Sequence, residues 1–476
     1  MKRIASWVLI SILTLVFNQA NAQSKWSLER CIYHALENNL GIKQSQLAVQ
    51  QAALSEQLSK NARHPSINAS STFGYQFGRT IDPTSNTFSL DALAGQSLGI
   101  NLNATLYNGG RINNQIEQSK LDVMAAREDL LQNKNDIALT VATSYINVLF
   151  AKEQTSNAEQ RLTLTEKQLE NTRKLIAAGA LPANDVLELE AQQALNQQDI
   201  IIQDNAKNIA LLNLKLLLQL PADQEFEIEV PNIEVTPDNA IDTWTVDEVY
   251  HKAINNQPFI KAGEFRMKSA LLQEDIAKAD KLPRLSISGG INSNYSDQFP
   301  EFGDPVQTSV VNDVLVNGTP VTIEQNIFVP NQIGTLGYFN QLSDNLGQNV
   351  GLSLSIPIYN NGRALIAQDQ AKLGVLNTQI ANEQMDQQLR SDIQRALTDA
   401  RASKLQLVAA QKSMDSRQAS FNNTEKRFQL GAVNSLDLSV AKNLLDAAQI
   451  DLLVAKYQYL FNVKVVEYYR GVPLKF

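Results

Sequence analysis

The hexapeptide LYNGGR at 106–111 returns as IYNNGR at 358–363, 252 residues further along the chain. Each copy follows a stretch in which polar and apolar residues alternate, and each precedes a long helical pattern. A recurrence of this kind is the sequence signature of a duplicated architecture. The two hexapeptides therefore predict that the chain contains the same structural unit twice.

The rest of the sequence carries the same duplication. Trp26 aligns with Trp244 at an offset of 218 residues, whereas beyond the hexapeptides Gly179 aligns with Gly431 at an offset of 252. The second copy is thus 34 residues longer, and all of these residues are gained before its hexapeptide. Elsewhere the alignment is almost free of gaps, so we predict two repeats of one structural unit.

The chain begins with the pattern of a secretory signal peptide. Lys2 and Arg3 are basic, the apolar stretch 7–17 follows, and 20–22 reads Ala-Asn-Ala, which suits cleavage. We therefore expect export, without an N-terminal lipid anchor because no Cys lies at the cut. The predicted domains are a signal peptide over 1–22, a first repeat over 23–219, a linker over 220–243, and a second repeat over 244–476 with a longer outer loop at 296–347.

Composition argues against several classes of function. Removal of Lys2 and Arg3 changes the net charge from −8 to −10, which disfavours nucleic acid as a partner. Cys31 is the only cysteine, and the three histidines are not spaced with it or with one another as a metal site needs. The sequence has no Gly-rich phosphate loop and no nucleophile elbow. We therefore expect no enzyme activity, no cofactor and no bound metal.

Each repeat reads as a helix, two strands, a long helix, a tight turn and a returning helix. The segment 111–178 contains no Pro and predicts a helix about 100 Å long. The leading helix 27–62 and the returning helix 183–219, placed end to end, would match that length. The second repeat has counterparts at 363–430, 245–280 and 435–470. Apolar residues recur along these helices at coiled-coil spacing, which favours packing side by side.

The strands alternate in polarity. Apolar side chains occupy alternate positions in SINASSTFGYQF (66–77) and in SLGINLNATLYN (97–108), and two strands of the second repeat follow the same rule. A strand of about 9–11 residues is long enough to cross a bilayer. Four strands cannot close a barrel, but three chains would supply twelve strands. The alternative is an ordinary half-buried sheet in an exported protein.

The chain resembles the TolC-type outer-membrane efflux proteins. The resemblance rests on the duplication, the alternating strands, the hexapeptides, and the two Gly-x₅-Asp turns, which run from Gly179 to Asp185 and from Gly431 to Asp437. The resemblance implies an α+β membrane protein: a trimeric 12-stranded β-barrel, with four strands per protomer, continuous with a long periplasmic α-helical coiled-coil tunnel. It implies an outer-membrane exit duct of a tripartite efflux or type I secretion system, in contact with outer-membrane lipid, a periplasmic adaptor and an inner-membrane pump. The alternative is an exported coiled-coil scaffold or adhesin without transport.

The resemblance also assigns roles to segments and residues. The linker over 220–243 would be an equatorial segment that builds part of a belt around the middle of the tunnel, with a plain linker as the alternative. The hexapeptides would form the junction between barrel and tunnel, because their Asn and Gly residues permit the unusual backbone angles of a bend. These junction residues are Asn108, Gly109, Gly110, Asn360, Asn361 and Gly362. The turns between long and returning helices would be hairpin tips that dock the adaptor. These tip residues are Ala178, Gly179, Ala180, Leu430, Gly431 and Ala432.

Two aspartates beside the tips would control the periplasmic entrance. The resemblance implies that Asp437 rings the axis as a gate and cation-selectivity site, and that Asp185 lies between the inner and outer coils. Relatives hold the tips shut with a Tyr and an Arg that bind the counterpart of Asp185. The matching positions are Phe428 and Val433, so this lock is expected to be absent or replaced.

The predicted outer loop at 296–347 is acidic. Between residues 285 and 362 the sequence has no Lys or Arg, while acidic residues recur. Because long loops of membrane barrels lie outside the cell, we expect an acidic segment over or beside the outer mouth. A surface insertion without function is the alternative.

Overall fold

A computed structural model describes residues 25–82, 86, 88–89, 92–179, 182, 184–230, 240–316, 318–430, 432–433 and 435–472. The predicted signal peptide at 1–22 lies outside the described residues. The chain divides into two compact units. The helical unit comprises Met1–Leu54, Lys120–Ser269 and Val375–Phe476, and the sheet unit comprises Ser55–Ser119 and Ala270–Gly374.

The two repeats show the same succession of elements. The helices are α1 (Leu28–Asn38), α2 (Leu40–Asn61), α3 (Arg111–Ala177), α4 (Asp185–Leu218), α5 (Ala240–Thr243), α6 (Val246–Asn256), α7 (Pro258–Ala279), α8 (Tyr338–Asp344), α9 (Arg363–Gln429) and α10 (Ser435–Tyr469). The strands are β1 (Ser66–Gln76), β2 (Thr80–Ile81), β3 (Phe88–Ser89), β4 (Leu93–Asn108), β5 (Arg284–Ser296), β6 (Pro300–Val316), β7 (Thr319–Thr335) and β8 (Gly347–Ser355). The long predicted helices are α3 and α9.

The leading helix of each repeat is broken, although the sequence predicted it to be continuous. The first breaks at Asn39, and the second breaks at Gln257, the aligned position of the other repeat. Both residues have extended backbone angles. Gln257 precedes Pro258, which disfavours the helical conformation there. Asn39 has no such neighbour; its Oδ1 accepts a hydrogen bond from the N–H of Gly41 at 2.8 Å and so begins α2.

Four strands form one antiparallel sheet in the order β1-β4-β5-β8. Ile67 lies opposite Leu102, Leu102 opposite Gly289, and Gly289 opposite Val350, so alternate residues of all four strands share one face. We call it the apolar face; its large side chains include Ile67, Phe73, Tyr75, Leu98, Ile100, Leu102, Leu285, Ile287, Ile291, Tyr295, Val350, Leu352 and Leu354. Ser, Thr, Asn and Gly predominate on the other face.

Two strands depart from regular alternation near the hexapeptides, one by an early end and one by a shift in pairing. The alternation continues to Ile356 and Ile358, but β8 ends at Ser355. Pro357 has no N–H to donate to a neighbouring strand, which is why the ladder stops before it. In the first repeat, the pairing of β4 with β5 shifts between Thr105 and Tyr107, immediately before the hexapeptide turn.

The predicted outer loop at 296–347 has secondary structure of its own. β6 and β7 pair over 17 residues each as a separate two-stranded hairpin, and α8 follows before β8. The shorter counterpart in the first repeat contains only the two-residue strands β2 and β3 among its described residues.

The main core lies in the helical unit. Val141 and Tyr145 of α3 pack with Leu214 of α4 and with Cys31 of α1. Part of the linker joins this cluster, because Ile228 is buried in it and its neighbours pair with Trp26 through backbone hydrogen bonds. A second cluster surrounds Leu389, Ile393 and Leu397 of α9. Within the described residues, none of the helices is both long enough and apolar enough to cross a membrane.

Candidate functional site: the junctions and the hairpin tips

The first hexapeptide connects β4 to α3 through two left-handed residues. Gly109 has a φ of +66° and Gly110 a φ of +82°, angles that side chains rarely adopt. The side-chain Oδ1 of Asn108 accepts a hydrogen bond from the N–H of Ile112 at 3.3 Å. It therefore satisfies one of the free donors in the first turn of α3.

The second hexapeptide makes the same turn from different residues. Asn361 and Gly362 have φ angles of +55° and +74°. Asn tolerates the left-handed region better than other residues with side chains, which explains why it can replace a glycine here. Asn360 takes the place of Asn108, and its Oδ1 accepts a hydrogen bond from the N–H of Ala364 at 3.5 Å.

The surroundings of the two junctions differ. A Cβ at Gly109 would lie 2.8 Å from the Cβ of Leu282 and 3.2 Å from the carbonyl oxygen of Ala279, whereas the aligned Asn361 carries an exposed side chain. A Cβ at Gly110, or at the aligned Gly362, would meet no atom within 4 Å. Arg111 forms an ion pair with Asp280 at the end of α7. A cavity of about 460 Å³ adjoins this junction and is lined by Ala62, Thr105, Asn108, Arg111, Ile112, Gln115, Ala279, Asp280, Leu282, Arg284, Ser355 and Pro357.

The first hairpin tip follows α3. The N–H of Ala178 bonds to the carbonyl of Lys174 at 3.1 Å, and that of Gly179 bonds to the carbonyl of Ile176 at 2.9 Å. Gly179 has a φ of +71°, as expected for a residue that ends a helix in the left-handed conformation. Ala180 lies outside the described residues, as does the side chain of Asp185, the first residue of α4.

The second tip is built in a similar way. The N–H of Leu430 donates a hydrogen bond to the carbonyl oxygen of Lys426 at 3.2 Å. The N–H of Ala432 donates to the carbonyl oxygen of Arg427 at 2.9 Å. Gly431 lies outside the described residues. Leu430 is 82 % exposed, which is high for so large an apolar side chain.

Asp437 lies in the first turn of α10 and is exposed. Carboxylates are favoured there because the N-terminus of a helix carries partial positive charge. Phe428 and Val433, which stand where relatives have their lock residues, are half-buried. Among the residues that the structure describes, we find no group of three or more metal-ligating side chains.

An ion pair near the first tip was not predicted from the sequence. Arg173 of α3 and Glu190 of α4 form an ion pair of 2.8 Å across the first hairpin. The aligned positions of the second hairpin are Glu425 and Lys442, so the charges are exchanged. Lys442 instead forms an ion pair with Asp446, one turn further along α10. The exchange of charges between aligned positions is the signal that could have identified this pair.

The sequence of this chain matches a known protein family. The family model described as outer membrane efflux protein matches residues 31–218 and 249–464. The chain is 21% identical over 444 residues to the probable outer membrane lipoprotein SilC of Salmonella typhimurium, covering 91% of this chain and 83% of that protein. It is 25% identical over 389 residues to the outer membrane protein TolC of Escherichia coli K12, covering 76% of this chain and 69% of TolC.

Solved structures share the fold. The outer membrane protein VceC of Vibrio cholerae superposes with a TM-score of 0.71 at 15% sequence identity, covering 93% of this chain and 96% of VceC. The predicted α+β fold with an internal duplication is therefore confirmed. The relatives are channel proteins of the outer membrane. These findings confirm the predicted localisation and the predicted efflux function over the alternative of a scaffold. Because the model matches most of both repeats, the chain belongs to the outer membrane efflux protein family.

Proposed function

We propose that three copies of this chain close one twelve-stranded barrel, and that their helical hairpins continue it as a tunnel towards an adaptor and an inner-membrane pump. The observation that carries this proposal is the four-stranded sheet. In the described residues, β1 and β8 each pair with one neighbour only, which leaves two open edges. Open edges are not viable in lipid, and four strands are too few to close on themselves.

The exposure of the apolar face supports the same arrangement. Val350 is 82 % exposed in the single chain, and Phe73, Leu352 and Leu354 are exposed as well. An exposed apolar surface of this extent is unfavourable in water and marks a contact with lipid or protein. The polar face would then line the passage.

Planar lipid bilayers provide the test. Purified protein, separated by size into trimer and monomer, is added to a bilayer at fixed voltage. We expect stepwise conductance from the trimer fraction alone. A product that remains monodisperse in water without detergent and conducts nothing would contradict the trimeric barrel.

We also propose that the hairpin tips bind the adaptor. Gly179 supports this, because a Cβ there would meet no atom within 4 Å, so the turn presents an open surface. The exposed Leu430 offers an apolar contact at the second tip. Apolar anchors that become fully buried supply most of the binding energy of an interface.

A pair of substitutions separates docking from folding of the tip. Gly179→Asn keeps the left-handed turn, since Asn tolerates a positive φ, whereas Gly179→Trp fills the open surface. We expect Gly179→Trp to abolish export by cells while trimers still assemble in the membrane, and Gly179→Asn to retain most export. Normal export by the Trp variant would show that this tip is not the docking surface.

Asp437 is the proposed gate of the periplasmic entrance. It is exposed in the first turn of α10, and a threefold axis would place three of these carboxylates around one opening. A ring of carboxylates attracts cations and repels anions, as in cation-selective pores. The aligned Asp185 would lie away from the axis.

A further inference from the structure

The short helix α8 lies at the end of the sheet farthest from the hexapeptides. The side chain of Tyr338, the first residue of α8, contacts the sheet at two points. The hydroxyl of Tyr338 donates a hydrogen bond to Oε1 of Gln96 at 2.8 Å, and the ring of Tyr338 lies 4.9 Å from that of Tyr295. A third contact comes from the sheet: the hydroxyl of Ser293 donates a hydrogen bond to the carbonyl oxygen of Leu342 at 2.8 Å.

These three sheet residues share one side of the sheet. Gln96 alternates in step with Leu98 and Ile100 along β4, and Ser293 and Tyr295 alternate in step with Ile291 along β5. All of them therefore belong to the apolar face. It follows that α8 is packed on the apolar face, on the opposite side of the sheet from the proposed passage.

Buried hydrogen bonds hold α8 in this place. Gln341 is fully buried, and its Nε2 donates to the carbonyl oxygens of Ser296 at 2.9 Å and Leu336 at 2.6 Å. Its Oε1 accepts a hydrogen bond from the N–H of Ser296 at 2.9 Å. Asn345 donates to the carbonyl oxygen of Asn294, also at 2.9 Å. A buried amide with three partners is costly to displace, so α8 is a fixed part of this surface.

The exposed side chains of α8 are both apolar and polar, because Asn340, Ser343 and Asp344 are exposed together with Phe339. Phe339 is 81 % exposed and Leu346, just beyond the helix, is 54 % exposed. The only charged residue of α8 is Asp344. The aromatic residues Phe73 and Tyr75 of the apolar face lie at the same end of the sheet, because β1 there pairs with the first residues of β4. Aromatic side chains concentrate at the two boundaries of a bilayer in membrane barrels.

We propose that α8 is an interfacial helix that contacts the lipid of the outer leaflet, with Phe339 and Leu346 inserted among the acyl chains. The occupant is lipid because α8 continues a surface that the barrel presents to lipid. This inference rests on the proposed barrel. It adds a docked helix outside the barrel wall, which widens the protein at the outer boundary of the membrane.

Site-directed spin labelling tests the position of Phe339. Cys31 is fully buried, and burial raises the pKa of its thiol to about 12, so it reacts poorly with thiol reagents. A nitroxide is therefore attached selectively to Phe339→Cys in trimers reconstituted into vesicles of phosphatidylethanolamine and phosphatidylglycerol. The accessibility of the label to oxygen, which partitions into lipid, is compared with that to a water-soluble nickel chelate.

Two reference positions calibrate the measurement. Val350→Cys reports the apolar face itself, and Phe328→Cys reports the exposed hairpin strand β7. We expect the oxygen-to-nickel accessibility ratio at Phe339→Cys to be several-fold higher than at Phe328→Cys and close to that at Val350→Cys.

Each other outcome overturns the inference in a distinct way. A ratio at Phe339→Cys equal to that at Phe328→Cys, with Val350→Cys in lipid, places α8 in water and leaves the barrel intact. A label at Phe339→Cys that neither reagent reaches shows that a second copy of the chain covers α8. A water-like ratio at Val350→Cys rejects the proposed barrel together with the inference.

Discussion

The two junctions make the same backbone turn in different surroundings. In the first repeat, Gly109 lies against Leu282 and Ala279, and Arg111 is paired with Asp280. In the second repeat, the aligned position is Asn361, an exposed residue with a side chain. Backbone conformation has thus been retained through the duplication, while the close approach found at Gly109 is absent at its aligned position, Asn361.

The hairpins show the same divergence. The first hairpin is joined across its two helices by Arg173 and Glu190. In the second, Lys442 pairs along its own helix with Asp446, and Glu425 forms no ion pair within the described part of the chain. The two hairpins are therefore connected differently at these aligned positions, and substitutions there should have unequal effects.

The largest expected difference is at the junctions. Gly109→Asn keeps a residue that tolerates a positive φ but places its Cβ 2.8 Å from the Cβ of Leu282. Overpacking of this kind destabilises a protein by about 1–3 kcal/mol. The exchange in the opposite direction, Asn361→Gly, creates no such contact and should change the free energy of unfolding by about 0.5 kcal/mol at most. Thermal unfolding in detergent, followed by helical circular dichroism, compares the two variants.

Equal losses of stability in Gly109→Asn and Asn361→Gly would contradict the difference in packing. A useful control is Gly110→Asn, because a Cβ at Gly110 would meet no atom within 4 Å. This variant also has a positive φ, so it measures the cost of backbone conformation without the steric contact.

The breaks in the leading helices provide the second difference. Asn39 makes two hydrogen bonds, from the N–H of Gly41 at 2.8 Å and to the carbonyl oxygen of Leu217 at 3.2 Å. Gln257 makes one long hydrogen bond of 3.4 Å to Tyr468, and its Oε1 is buried without a partner. Asn39→Ala should therefore cost about 1–2 kcal/mol, whereas Gln257→Met should be near neutral, since it removes an unsatisfied acceptor.

The same unfolding assay distinguishes these two variants. A large loss of stability in Gln257→Met would mean that its amide is more important than the observed geometry indicates. Stability of Asn39→Ala equal to that of the unmodified protein would show that the break in the first leading helix does not depend on its side chain.

These two breaks also show what sequence could and could not predict. Pro258 marks the second break locally. At the first break Asn39 caps α2 through the N–H of Gly41, but it also donates to Leu217, 178 residues away, and no local pattern contains that contact. The turns at Gly109–Gly110 and Asn361–Gly362 were predictable because a positive φ restricts residue type. The strands β6 and β7 were not, because Pro305, Pro320 and Pro330 interrupt the pattern that indicates a strand.

The proposed gate gives a third comparison between aligned residues. Asp437→Ala should reduce the cation selectivity of trimers in planar bilayers several-fold and weaken block by divalent cations, because the ring loses its charge. Asp185→Ala should change resting conductance little, since that residue would lie away from the axis. Reversal potentials in a salt gradient report selectivity directly. Unchanged selectivity in Asp437→Ala would show that the filter lies elsewhere.

The smallest expected effect concerns the ion pair across the first hairpin. Both side chains of Arg173 and Glu190 are exposed, so solvent screens their attraction and the pair should contribute about 0.2–1 kcal/mol. A double-mutant cycle with Arg173→Ala, Glu190→Ala and the double variant measures this coupling. The coupling should fall as the salt concentration rises. A parallel cycle with Glu425→Ala and Lys442→Ala should give no coupling, because Lys442 pairs with Asp446 instead. Coupling of equal size in both hairpins would remove the distinction between the two repeats at their tips.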